Sequence, residues 1–144
     1  MSDTPMAEYV VAAEWLDATL RGDTALMAEV TDICEHPAPQ DAVYPLVTFA
    51  LHHAEDTMVV GEHRVWADLL MLITVVGQTA STKALQAAAV RIDALLHRAS
   101  GTTADGQIVS SWRTESFALP DEYEGIQYRR LGGFYELLVQ PLNP

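Results

Sequence analysis

"VWADLLMLITVV", residues 65–76, decides the fold. An extended chain turns successive side chains to opposite faces. On that period Val65, Ala67, Leu69, Met71, Ile73 and Val75 share one face. Trp66, Leu70, Leu72 and Val76 share the other, with Asp68 and Thr74 as its polar members. A strand with one wet face alternates apolar and polar residues, and here that alternation nearly vanishes. The segment is read as a strand that needs cover on both sides.

The flanking sequence supplies cover for one side. "TPMAEYVVAAEWLDATLRGD" reads as a helix, with Thr4 as N-cap, Pro5 at the first helical position and Gly22 as its stop. Tyr9, Ala12, Ala13, Leu16 and Leu20 fall on its apolar face. Asp23 caps a further short turn. "STKALQAAAVRIDALLHRAS" reads as the clearest helix. It is capped by Ser81 or Thr82, apolar along Leu85, Ala88, Ile92 and Leu95, and ended by Gly101, with Arg98 at the negative pole of its dipole. A short strand precedes a loop at Pro37 and Pro39, which lack amide donors. "YPLVTFALHH" and the opening stretch then form two long strands, joined through "EDTMVVGEH" around Gly61. "GTTADGQ" reads as a turn. "QIVSSWRTESFAL" and "IQYRRLGGFYELLVQ" read as strands joined by the acidic loop "PDEYEG". Gly132 and Gly133 inside the last strand mark a bulge or a close backbone approach.

The order is helix, three strands, helix, two strands. It predicts one α+β domain over residues 1–144, a two-layer fold with a mostly antiparallel sheet and helices packed on one face. Two helices shield only one side. Burying Trp66, Leu70, Leu72 and Val76 would contribute roughly 6–12 kcal/mol, at about 1.5–3 kcal/mol each. Either the sheet curls over them or another subunit does, which makes these residues the subunit-interface candidates.

Composition narrows the chemistry. The chain has 144 residues and a net charge of −12, with only eight lysines and arginines. Nucleic-acid binding needs cations to displace counterions, and Arg129–Arg130 is the sole adjacent basic pair. No run of about 18 apolar residues is present to span a membrane, and the start does not read as a signal peptide. The expectation is a chain made in a reducing cytoplasm. Cys34 stands alone, so neither an internal disulfide nor a cysteine metal site is available, and it reads as a small core residue. His52, His53, Glu55, Asp56, Glu62 and His63 cluster in sequence, but His52 and His53 are adjacent in a strand and face apart, so no metal site is expected. "LGGFYEL" is no phosphate loop, and Ser110 and Ser111 sit mid-strand rather than on a sharp elbow. Trp15, Trp66 and Trp112, spread over three elements, read as core residues. No catalytic, cofactor-binding or metal residue is assigned.

Three segments in order carry a resemblance: "HPAPQDAVYPLVTFALHHAED", "IDALLHRASGTTADGQIVSSWRTES" and "DEYEGIQYRRLGGFYELLVQ". A proline-rich loop before a "YPLVTF" strand, an "IDALLH" helix and a "YRRLGGFYELLV" closing strand together resemble the tail terminator (tail completion) proteins of long-tailed bacteriophages. The resemblance implies a non-enzymatic virion protein without cofactor, assembled in the host cytoplasm. It implies an α/β sheet flanked by helices and a ring, typically hexameric, that caps the finished tail tube and joins tail to head. The partners it implies are further copies of the chain, the tube protein below and a head-side connector or stopper above. DNA passes through the lumen without specific binding.

Loops between long strands reach beyond the sheet. Thr57, Met58, Val59 and Val60 in one, and Asp121, Glu122, Tyr123 and Glu124 in the other, are therefore contact candidates. Two alternatives stay open. One is another neck component, such as a head-completion or stopper protein; the other is a small-molecule-binding α+β module that uses the histidine–acid cluster and the apolar sheet face.

Overall fold

A computed structural model describes residues 6–58 and 64–141, with side chains for 7–55 and 67–141. Its elements run α1 (Met6–Arg21), the short α2 (Thr24–Met27), β1 (Ile33–Glu35), β2 (Leu46–Met58), β3 (Arg64–Gly77), a 3-10 turn (Thr82–Leu85), α3 (Gln86–Leu96), β4 (Ala99–Thr103), β5 (Gly106–Tyr123) and β6 (Ile126–Pro141). The strands form one curled sheet in the order β1-β2-β3-β6-β5-β4.

The decisive strand behaves as its period demands on one side. Ala67, Leu69, Met71, Ile73 and Val75 are fully buried. They join one core with Val11, Trp15, Leu16 and Leu20 of α1, Ala88, Ile92 and Leu96 of α3, and Tyr135, Leu137 and Val139 of β6. Both longer helices therefore pack on the same sheet face. α1 stops at Arg21, as Gly22 suggested; its expected cap, Thr4, lies outside the described residues. Asp23 does cap α2, accepting a hydrogen bond from the Leu26 amide at 2.9 Å.

The second face of β3 is covered unevenly. At one end Thr74 and Val76 are buried, with Leu46 and Thr48 beside them on β2. The Thr48 and Thr74 hydroxyls lie 3.3 Å apart, so each polar group has a partner. Tyr44 meets Tyr128 edge-on at this end, with ring centroids 5.4 Å apart. Farther along, Leu70 and Leu72 remain half-buried. The curl of the sheet thus answers half of the question that the strand raises.

Several expectations need correction. The sheet is mixed rather than antiparallel: β1 runs parallel to β2, while the other pairings are antiparallel. The segment between Glu35 and Leu46 carries the chain back to the start of the sheet, so both strands leave in the same direction. α3 ends at Leu96, with Arg98 turning the chain at φ 61°, not at Gly101. Gly101 lies in β4, where any Cβ would sit 2.4 Å from Nε1 of Trp15. Neither Ser81 nor Thr82 provides a side-chain cap, because a 3-10 turn opens this helix. "GTTADGQ" is the β4–β5 hairpin, and "PDEYEG" is the tip of a longer one. Trp15 is a core residue, whereas Trp112 is 46% exposed. It is flanked by His97, at 4.6 Å between centroids, and by the Arg98 guanidinium, at 5.0 Å.

Candidate functional site

The register places one set of side chains on the sheet face away from the helices. From β3 it takes Asp68, Leu70 and Leu72; from β6, Leu138, Glu136, Phe134 and Arg130; from β5, Phe117 and Leu119. Aromatic contacts organise its centre. Phe134 meets Phe117 at 5.9 Å and His52 at 5.1 Å, both edge-on. His52 reaches this position because β2 bulges between Leu51 and His53.

The curl beneath that centre depends on the paired glycines. A Cβ on Gly132 would lie 2.0 Å from the Ile73 carbonyl oxygen of β3, and one on Gly133 would lie 2.6 Å from the Glu115 oxygen of β5. β5 also bulges between Arg113 and Glu115. The expected close backbone approach is real, with a bulge on the neighbouring strand.

Asp68 is the anomaly of this face. Its Oδ1 is buried and has no hydrogen-bond partner. Across the sheet it faces Glu55, whose Oε1 lies 3.2 Å from His53 Nε2. Burial, with Glu55 adding to it, pushes the Asp68 carboxyl above the ordinary carboxylate range. Like charges directly opposite on neighbouring strands oppose pairing.

β5 and β6 extend past the core as a hairpin. They stay in register to Tyr123↔Ile126, where Glu124 (φ 51°) and Gly125 (φ 78°) close a two-residue turn. Asp121, Glu122, Tyr123 and Glu124 are therefore brought together at this exposed tip. Leu119, Tyr123 and Ile126 are 44, 66 and 44% exposed. Thr57 and Met58 end β2, while Val59 and Val60 lie outside the described residues. Of the interface candidates, Leu70 and Leu72 are half-buried and Val76 is 5% exposed. For Trp66 the register pairs it with Thr57.

Burial keeps two reactive side chains away from their ionised forms. Burial, and Asp32 after it, pushes the Cys34 thiol up, away from the thiolate form. Tyr135 donates to Asp93 Oδ1 at 2.9 Å, beside an Arg113–Asp93 ion pair at 3.3 Å, and burial holds its phenol well above the usual range. Among the described residues no group of three or more His, Cys, Asp or Glu is arranged to hold a metal ion. No described helix is long and apolar enough to cross a membrane.

A solved structure shares this fold. A chain in the virion of a native gene transfer agent particle superposes with a TM-score of 0.76 at 20% identity, over 93% of this chain and 98% of that one. No protein-family model and no curated protein matches the sequence. At that identity the likeness concerns the fold, and it spans nearly the whole of both chains.

Asp68 and Arg130 on the open face were visible in sequence only as an odd polar residue in a greasy strand and half of a basic pair. The β3–β6 register that sets them on one face carries no sequence signal of its own.

Proposed function

We propose that this chain is a structural, non-enzymatic virion protein. In that role it is a tail terminator whose copies form a ring, hexameric as in the family it resembles. The ring caps the completed tail tube at the head–tail junction and lets DNA pass through its channel. The observation that carries this reading is the fold shared, end to end, with a chain of a gene transfer agent virion. The half-buried face around Leu70 and Leu72 supports self-association, with Trp66 assigned to the same contact. The β5–β6 tip and the segment Thr57–Val60 are assigned to the tube below or the connector above.

Electron microscopy of particles assembled without this protein tests the reading. Loss of a terminator should give overlong tails. Tails of normal length without heads would overturn that role in favour of a head-side neck component. Native mass spectrometry with and without purified tail tubes should show a ring. A monomer under both conditions that retains a bound small molecule would overturn the structural reading altogether.

A further inference from the structure

We infer that Asp68 of one copy pairs with Arg130 of the next, so that the open sheet face joins subunits head to tail. The inference rests on the ring reading above and gives its contact a direction. Most cations of the chain are already committed. Arg21 pairs with Asp17 and Asp32, Arg91 with Asp23 and Arg113 with Asp93, while Arg98 stacks over Trp112. Arg129 donates to the Tyr128 carbonyl. Among the described side chains, Lys83 and Arg130 remain without a partner. Lys83 is exposed on the 3-10 turn, whereas Arg130 is half-buried on the open face.

The same face holds an acid that has no cation beside it among the described side chains. Asp68 is half-buried, its Oδ1 is sealed from solvent, and among the described side chains the residue opposite it on β2 is another acid, Glu55. A half-buried charge without a counter-charge is costly, and a partner that supplies one offsets that cost. The two residues cannot meet within one chain. Asp68 lies opposite Leu138 and Arg130 opposite Val76. Those positions are separated by eight residues of β3, roughly 26 Å at about 3.3 Å per residue. An acid at one end of a surface and a base at the other end complement each other between copies. Where each junction joins the Asp68 end of one copy to the Arg130 end of the next, the contact is heterologous and forms a ring when its rotation closes, whereas both pairs formed at once between two copies would make a closed dimer. The overlap of the two ends would cover apolar side chains next to them, Leu70 beside Asp68 and Leu119 beside Arg130.

Charge reversal tests this. Full-length Asp68→Arg and Arg130→Asp chains are prepared singly, their folding is checked by circular dichroism, and their masses are measured by native mass spectrometry with and without tail tubes. Each variant alone should lose the higher-mass species that the wild type forms. An equimolar mixture should regain it, since every junction then carries opposite charges. Asp68→Asn, which keeps the shape of the side chain, should weaken assembly without abolishing the fold. If the wild type assembles and both reversals assemble equally well, or if the mixture stays apart, the pairing is overturned while the ring reading stands. If the wild type itself never assembles, or stops at two copies, the ring reading fails and the head-to-tail pairing with it.

Discussion

At Gly132 the sheet leaves no room for a side chain. The obstacle is the Ile73 carbonyl, part of a backbone that cannot rotate away. Gly132→Ala should therefore destabilise the subunit by about 3 kcal/mol, the upper end of ordinary overpacking, as read from urea midpoints. Asp68 gives a prediction in pH. Its folded-state pKa is raised by burial and then by Glu55, above an unfolded value of about 3.9. The folded chain thus holds that proton more tightly than the unfolded chain does. The stability this contributes is full below the unfolded pKa and is lost as pH rises through the folded one. In the dissociated subunit, Asp68→Asn should be more stable than wild type at neutral pH, and the gap should close below about pH 4. Asp23 has the opposite sign. Two 2.7 Å bonds from Arg91 hold its carboxyl below the ordinary range. Its contribution is present above the unfolded pKa and is lost as pH falls through the lowered one. Asp23→Asn should therefore be less stable than wild type at neutral pH, with the difference fading on acidification. Parallel urea titrations at both pH values check the two substitutions together.

Among the elements, the β5–β6 hairpin separates what periodicity tells from what pairing tells. Its last six residues, 122–127, can be replaced by Asn-Gly to close the strands at Asp121↔Tyr128. Tyr123 and Ile126 bury little there, so stability should change by less than about 0.5 kcal/mol in a thermal melt. Ring mass should persist, because Arg130 and Leu72 remain. Head–tail joining should fail if the tip is a contact element, and normal yields of joined particles would remove that role. The sequence reads this tip as a loop because Pro120, Asp121, Glu122 and Gly125 are residues that strands disfavour. Pairing with β6 overrides that preference. β4 was hidden for a related reason. "ASGTT" has no apolar period, and its strand exists because β5 offers a ladder and Trp15 presses on Gly101. The direction of β1 was equally hidden, since Ile33, Cys34 and Glu35 read the same in a parallel or an antiparallel pair. The buried face of β3 was legible, because five fully buried side chains at alternate positions leave no other arrangement. Its second face was legible only as a need for cover. Which part the curl satisfies depends on Gly132 and Gly133, whose spacing says that strands approach closely but not which ones.

For the whole molecule, the net charge of −12 opposes any packing of copies. Two unit charges about 8 Å apart in water repel by roughly 0.5 kcal/mol, and each junction in a ring brings many such pairs within range. Under the proposed role the same surplus would suit a channel through which DNA slides, since a lumen lined with carboxylates would not hold phosphates. Salt decides between the repulsive and attractive parts. The screening length falls from about 30 Å at about 0.01 M salt to about 8 Å at about 0.15 M, which weakens the diffuse repulsion between exposed acids strongly. A contact between half-buried groups such as Asp68 and Arg130 is screened much less over that range, and the apolar surface around Leu72 and Phe134 is indifferent to it. Subunit association measured by analytical ultracentrifugation should therefore strengthen as salt rises through this range. Weakening instead would mean that exposed ion pairs hold the assembly together, with the apolar face contributing little.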